Sequence, residues 1–116
     1  MLTVRFKQLG LTPGDLVLDA GAGFGRHAFE IARLGGRIVA LDYADEEVRM
    51  TRATFGAMIE VKDIEADRYV GALRGDATKL PFADNTFGTV LALSTFEHVK
   101  RFWLGFAEVA RVLKPG

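Results

Sequence analysis

Four short apolar runs recur along the chain, each closed by a polar residue or glycine and each followed by a stretch of a different period. Leu16 to Asp19 follows a Pro13-Gly14 turn and reads as a short buried strand. "RIVALD", ending on Asp42, reads as a second, "YVGALRGDA" contains a third, and "TVLALST" forms a fourth, the most continuously apolar. Between the first two, Ala28, Ile31, Ala32 and Leu34 recur at helical spacing until Gly35-Gly36 stops them. The segment "ADEEVRMTRATFGAMIEVKDIE" is predicted helical, with Asp45, Glu46 and Glu47 in a first turn where the helix dipole favours negative charge. "EVKDIEADRY", the most charged stretch, reads as a helix end and a solvated loop, and "TKLPFADNTFGT" as a loop turning at Pro81 and Asp84-Asn85. The last helix carries Val99, Phe102, Trp103, Phe106, Val109, Ala110 and Leu113 on one stripe, read as its core face, and halts at Lys114-Pro115-Gly116.

Strands that alternate with helices and are apolar throughout predict an α/β fold: a Rossmann-like, doubly wound parallel sheet in three layers. No repeat, low-complexity tract or linker divides the 116 residues, so a single domain is expected over 1–116. Lys+Arg and Asp+Glu are both 15, a balance that argues against a broad nucleic-acid footprint. Cysteine is absent, which excludes disulfides, thiolate metal sites and cysteine nucleophiles. Arg5 and Lys7 break what would be the apolar core of a signal peptide, and no apolar run approaches membrane-span length, so a cytoplasmic location is expected.

The chemistry concentrates in "VLDAGAGFGRHA". Gly21, Gly23 and Gly25 leave the backbone bare between the first strand and the first helix, where doubly wound sheets bind ligands. The spacing is G-x-G-x-G; the dinucleotide fingerprint G-x-G-x-x-G would need its third glycine where Arg26 stands. Asp19, two residues before the first glycine, would repel a pyrophosphate and suits a ligand presenting an ammonium group. Asp42 closes the second strand, where an acid can bond ribose hydroxyls. Asp76 follows the third strand, where a carboxylate can accept from an exocyclic amine while the Ala77 N–H donates to a ring nitrogen. Together these describe a pocket for an aminoacyl-type adenosine. The alternative for Asp76 is a turn carboxylate bonding its own loop, and for Asp42 a helix cap.

With "VALDYADEEV", "GDATKLPFADNTFGTVLALSTFEHV" and "ARVLKPG", the glycine loop resembles class I S-adenosylmethionine-dependent methyltransferases of the type-11 branch, from Leu11 onward. The resemblance implies that Asp19 and Gly21 to Gly25 line the methionine end of S-adenosylmethionine. It implies that Asp42 holds the ribose, with Tyr43 near the adenine, and that Asp76 and Ala77 read the adenine edge. It further implies that backbone at Leu93 and Ser94 meets the cofactor's amino group. Gly88 departs from the family's usual aspartate in "NTFGTV".

The expected activity is methyl transfer to a small-molecule acceptor, with no catalytic residue and no metal assigned. Glu97 and His98 stand where a base could sit, though such a pair more often caps a helix, and His27 reads as a packing residue. Family members continue into further strands, so the chain is expected to be a partial domain lacking the C-terminal strands, with its fourth strand exposed for pairing. The alternatives are an inactive remnant that keeps only the cofactor half and, more remotely, a dinucleotide-dependent oxidoreductase.

Overall fold

The computed structural model describes residues 16–91 and 102–115, with side chains in the last helix from Leu104 onward. The Pro13-Gly14 turn and residues 92–101 lie outside this set. The elements are β1 (Leu16–Ala20), α1 (Arg26–Arg33), β2 (Arg37–Asp42), α2 (Asp45–Glu60), β3 (Tyr69–Arg74), β4 (Thr89–Leu91) and α3 (Phe102–Val112). All four strands are parallel, in the order β3-β2-β1-β4.

Side chains of β1 and β2 alternate across this sheet, while an irregularity in the β2–β3 register lets both Tyr69 and Ala72 of β3 face the same side. Val17, Ile38, Ala40, Ala72 and Leu91 point to one face, where Ala28, Ile31 and Ala32 of α1 and Val48, Phe55 and Met58 of α2 cover them. Leu18, Ala20, Val39 and Leu41 point to the other, beneath Leu80, Phe87 and Val112. The expected three layers are therefore present, but the second face is covered by α3 together with the connection 75–88. Phe55 lies at the centre of the first face, stacked on Tyr69 with centroids 4.5 Å apart and meeting Phe29 edge-on at 4.8 Å.

Helix ends explain where the segments stop. Gly35, at φ 98°, ends α1 as its N–H reaches Ala32 O and the Gly36 N–H reaches Ile31 O. The same pair of bonds ends α2, with Lys62 at φ 62° donating to Ile59 O and Asp63 to Met58 O. This helix is therefore shorter than the sequence pattern predicts. The charged segment after it is also not wholly solvated, because the turn delivers Ile64 into the core. Asn85, at φ 54°, forms the turn expected at Asp84-Asn85.

The expected core stripe of α3 is corrected. Val112 is fully buried, with Gly105 also buried and Glu108 and Val109 half-buried, so the inward face follows 105, 108, 109 and 112. Phe106 is 55% exposed and Ala110 is exposed, one residue out of phase with the inward face. Polar Glu108 turns inward because it bonds the connection below it; Val99 and the Phe102 and Trp103 side chains lie outside the described set. No helix among the described residues is long and apolar enough to cross a membrane.

Phe55→Ala removes the ring between Phe29 and Tyr69. We expect a loss of roughly 3–5 kcal/mol of unfolding free energy, read from the shift in denaturant midpoint at unchanged slope.

Candidate functional site

Parallel pairing of three adjacent strands puts Asp19, Asp42 and Asp76 at one end of the sheet. Asp19 is level with Ala40, and Asp42 with Arg74, two residues before Asp76. The glycine loop folds back over this end, with the Gly21 and Ala22 N–H groups both donating to Leu41 O at 2.7 and 2.9 Å. Gly21, Gly23 and Gly25 take φ values of 80°, 59° and 90°, a region costly for other residues.

Two of these glycines do different work. A side chain at Gly25 would meet the Phe29 ring at 2.6 Å, so this glycine lets α1 pack against its own loop. One at Gly23 would meet nothing within 4 Å. The Gly23 peptide is nevertheless fixed on both sides: its N–H donates to Asp42 Oδ2 at 2.7 Å, and its carbonyl accepts from Thr51 Oγ1 at 3.3 Å. Its bare α-carbon faces open space from a held backbone, as close approach by a ligand requires.

Asp19 is the exceptional charge. It is 3% exposed, and its Oδ2 has no hydrogen-bond partner among the described residues. Burial, with the Asp42 carboxylate nearby, pushes its pKa up to about 7. An orphaned carboxylate oxygen beneath a side-chain-free loop fits a cationic group such as an ammonium. Both Asp42 oxygens are engaged by backbone: Oδ1 accepts from the Ala44 N–H at 3.0 Å as α2 begins, in the manner of the helix-end alternative, and Oδ2 accepts from Gly23 and so holds the glycine loop. A hydrogen bond to the Asp42 carboxylate, then burial, raises the pKa of Glu47, which the sequence reading assigned only to the helix dipole.

At the exit of β3, the Asp76 Oδ1 accepts from both the Thr78 N–H at 2.8 Å and the Thr78 hydroxyl at 2.7 Å. The turn-carboxylate alternative is thus realised, and these bonds hold the Asp76 carboxyl below its usual range. Asp76 is exposed and Ala77 buried. Tyr43 is 71% exposed; the Arg74 guanidinium lies 5.6 Å from its ring centre, and Arg74 Nε donates to Tyr43 O at 3.0 Å. Burial and the adjacent Arg26 lower the His27 pKa. Leu93, Ser94, Glu97 and His98 lie outside the described residues.

Sequence reasoning missed two further features. Thr51 is buried on α2, 28 residues from the glycine it holds, and no local pattern announces it. Glu108 and Arg111 of α3 bind the connection 75–88: Glu108 Oε1 accepts the Leu80 N–H at 2.8 Å, and Arg111 donates to the Leu80 and Phe82 carbonyls. An acid and an arginine three apart on a helix were the available signal.

A family model described as a methyltransferase domain matches residues 18–116. Sterol 24-C-methyltransferase of Eremothecium gossypii is 38% identical over 108 residues, covering 92% of this chain and 27% of that protein. Demethylmenaquinone methyltransferase of Corynebacterium urealyticum is 37% identical over 110 residues, covering 95% of this chain and 42% of that protein. The chain thus spans well under half the length of these relatives. Among solved structures, the [4+2]-cyclase SpnF matches with a TM-score of 0.80 at 26% identity, over 92% of this chain and 38% of that one.

The raised Asp19 pKa has a definite sign in stability. Between its ordinary value of 3.8 and about 7 the folded state holds a proton that the unfolded chain has lost, so stability falls as pH rises through this window and then levels off. Asp19→Asn removes the penalty. Its unfolding free energy should match wild type near pH 4 and exceed it at pH 8 by an amount on the order of 4 kcal/mol, as chemical denaturation at both pH values would show.

Proposed function

The chain belongs to the methyltransferase domain family, and from that premise we propose that its glycine loop and strand-end acids hold S-adenosylmethionine for methyl transfer to a small-molecule acceptor. The observation that carries this reading is the buried Asp19 Oδ2, without a hydrogen-bond partner among the described residues, beneath a loop whose Gly23 α-carbon faces open space. A buried carboxylate oxygen left without a hydrogen bond is a cost that a cationic ligand offsets. The same group counts against a dinucleotide, whose pyrophosphate would meet like charge. Fold alone does not choose the chemistry, since the likeness extends to a cyclase; sequence relatives that are methyltransferases by name support the methyl-transfer reading.

Bound there, S-adenosylmethionine would supply its methyl group from a sulfonium that is already a strong electrophile, so the protein's part is alignment and desolvation. Asp19 receives the ligand's ammonium group, and Asp42, already fixed by Gly23 and Ala44, turns its remaining lone pairs to ribose hydroxyls. Asp76 offers Oδ2 to the adenine amine, with Oδ1 committed to Thr78. Tyr43, exposed beside them, provides a face for the base. For the acceptor, relatives named for a sterol and for demethylmenaquinone favour an apolar compound. Phe24, largely exposed between Gly23 and Gly25, gives the loop an apolar contact for one.

Calorimetric titration tests the reading. Folded protein should bind both S-adenosylmethionine and S-adenosylhomocysteine at pH 8, and heat-silent titrations with both would overturn the cofactor assignment. Because Asp19 must be ionised to receive the ammonium, apparent affinity should fall by about tenfold per pH unit well below pH 7. Asp19→Asn should bind weakly with a flat pH profile. Gly23→Ala should reduce affinity by at least about tenfold, the equivalent of ~1.4 kcal/mol, because its methyl fills the space the ligand would use.

A further inference from the structure

The connection between β3 and β4 passes from one edge of the four-stranded sheet to the other without a helix of its own. Leu80, in its middle, is buried, so its peptide groups cannot be hydrated and need partners. Both partners come from α3. Glu108 Oε1 accepts the Leu80 N–H at 2.8 Å, and Arg111 Nη2 donates to Leu80 O at 3.0 Å.

Arg111 commits its whole guanidinium to this region. Nε bonds Glu108 Oε2 at 2.7 Å, Nη1 bonds Phe82 O at 2.7 Å and Asp84 Oδ1 at 2.9 Å, and Nη2 bonds Leu80 O and also Glu108 Oε1 at 3.1 Å. These five contacts match the five N–H donors that the group possesses. Backbone bonds extend the attachment, from Asn85 N to Arg111 O and from Thr86 N and Phe87 N to Val112 O. On the other side of Leu80, the Lys79 N–H donates to Asp76 O, and Thr78 holds the Asp76 side chain. An unbroken series of bonds thus runs from the α3 side chains to Asp76.

We propose that Glu108 and Arg111 are positioning residues for nucleobase recognition: by clamping Leu80 and Phe82 they set where Asp76 and Ala77 stand, and so how well the site selects adenine. The inference rests on the reading of Asp76 as the group that meets the adenine amine. Neither clamp residue touches the ligand in this scheme. Their effect is transmitted through the fixed turn 76–79 and is distinct from a contribution to stability alone.

The test compares dissociation constants for S-adenosylhomocysteine and for S-inosylhomocysteine, in which a carbonyl replaces the base's amino group. Wild type should favour the adenine compound by about tenfold or more, and Asp76→Asn should reduce that preference. Arg111→Lys keeps the charge but loses the planar fork, and should reduce the preference to a similar extent. In the double variant Arg111→Lys/Asp76→Asn no further preference should be lost, since both act through one contact. Glu108→Gln, which keeps an acceptor for the Leu80 N–H, should shift the preference in the same direction and serves if Arg111→Lys does not fold. A lowered melting temperature with the wild-type preference intact in folded clamp variants would overturn the positioning role. An Asp76→Asn variant that keeps the preference would instead overturn the underlying reading of Asp76, and the clamp inference with it.

Discussion

The upper end of the sheet is built around one residue. The Asp42 side chain takes the Gly23 N–H on one oxygen and the Ala44 N–H on the other, while its main-chain carbonyl takes the Gly75 N–H. The exits of β1, β2 and β3 are therefore fastened at a single point. Charge-assisted bonds from a carboxylate to backbone N–H groups are among the stronger ones a protein can make. Held in this way, the glycine loop keeps left-handed conformations that an unsupported loop would leave for others.

That fastening places acids close to one another. Asp19 feels Asp42 through a low-dielectric interior, and Glu47 shares a hydrogen bond with it on the more open side. Folding has to accommodate this repulsion, and the hydrophobic faces above and below the sheet supply the means. The site thus has the character of a receptor kept electrostatically unsatisfied by its scaffold. The same buried carboxylate that weakens the isolated fold is the group that the proposed cofactor's ammonium would meet.

Much of this was legible in the sequence because it depends on local signals. Continuous apolar runs, the Gly35 stop and the strand-closing acids each follow from neighbours within a few residues, and β1, β2, β3 and the described part of the fourth strand lie where the apolar runs placed them. What escaped depends on partners far along the chain. Lys62 in a left-handed turn carries no glycine to mark it, and Ile64 is buried only because that turn aims it inward. The α3 stripe was misplaced by one residue because apolar spacing cannot show that Glu108 faces in to meet a backbone amide. Thr51 and Arg111 bond carbonyls 28 to 31 residues away, a separation no window of sequence can connect.

The helix-free crossing from β3 to β4 orders events during synthesis. The glycine loop can close onto β2 and α2 once α2 has left the ribosome, because its bonds to Leu41, Asp42 and Thr51 lie within residues 21 to 51. The corner bearing Asp76 must wait for α3, roughly thirty residues further on, before Leu80 finds partners for its peptide groups. A growing chain therefore passes through an interval in which the Asp19–Asp42 corner is shaped while the Asp76 corner is still slack, with Leu80 and Phe87 not yet covered by Val112.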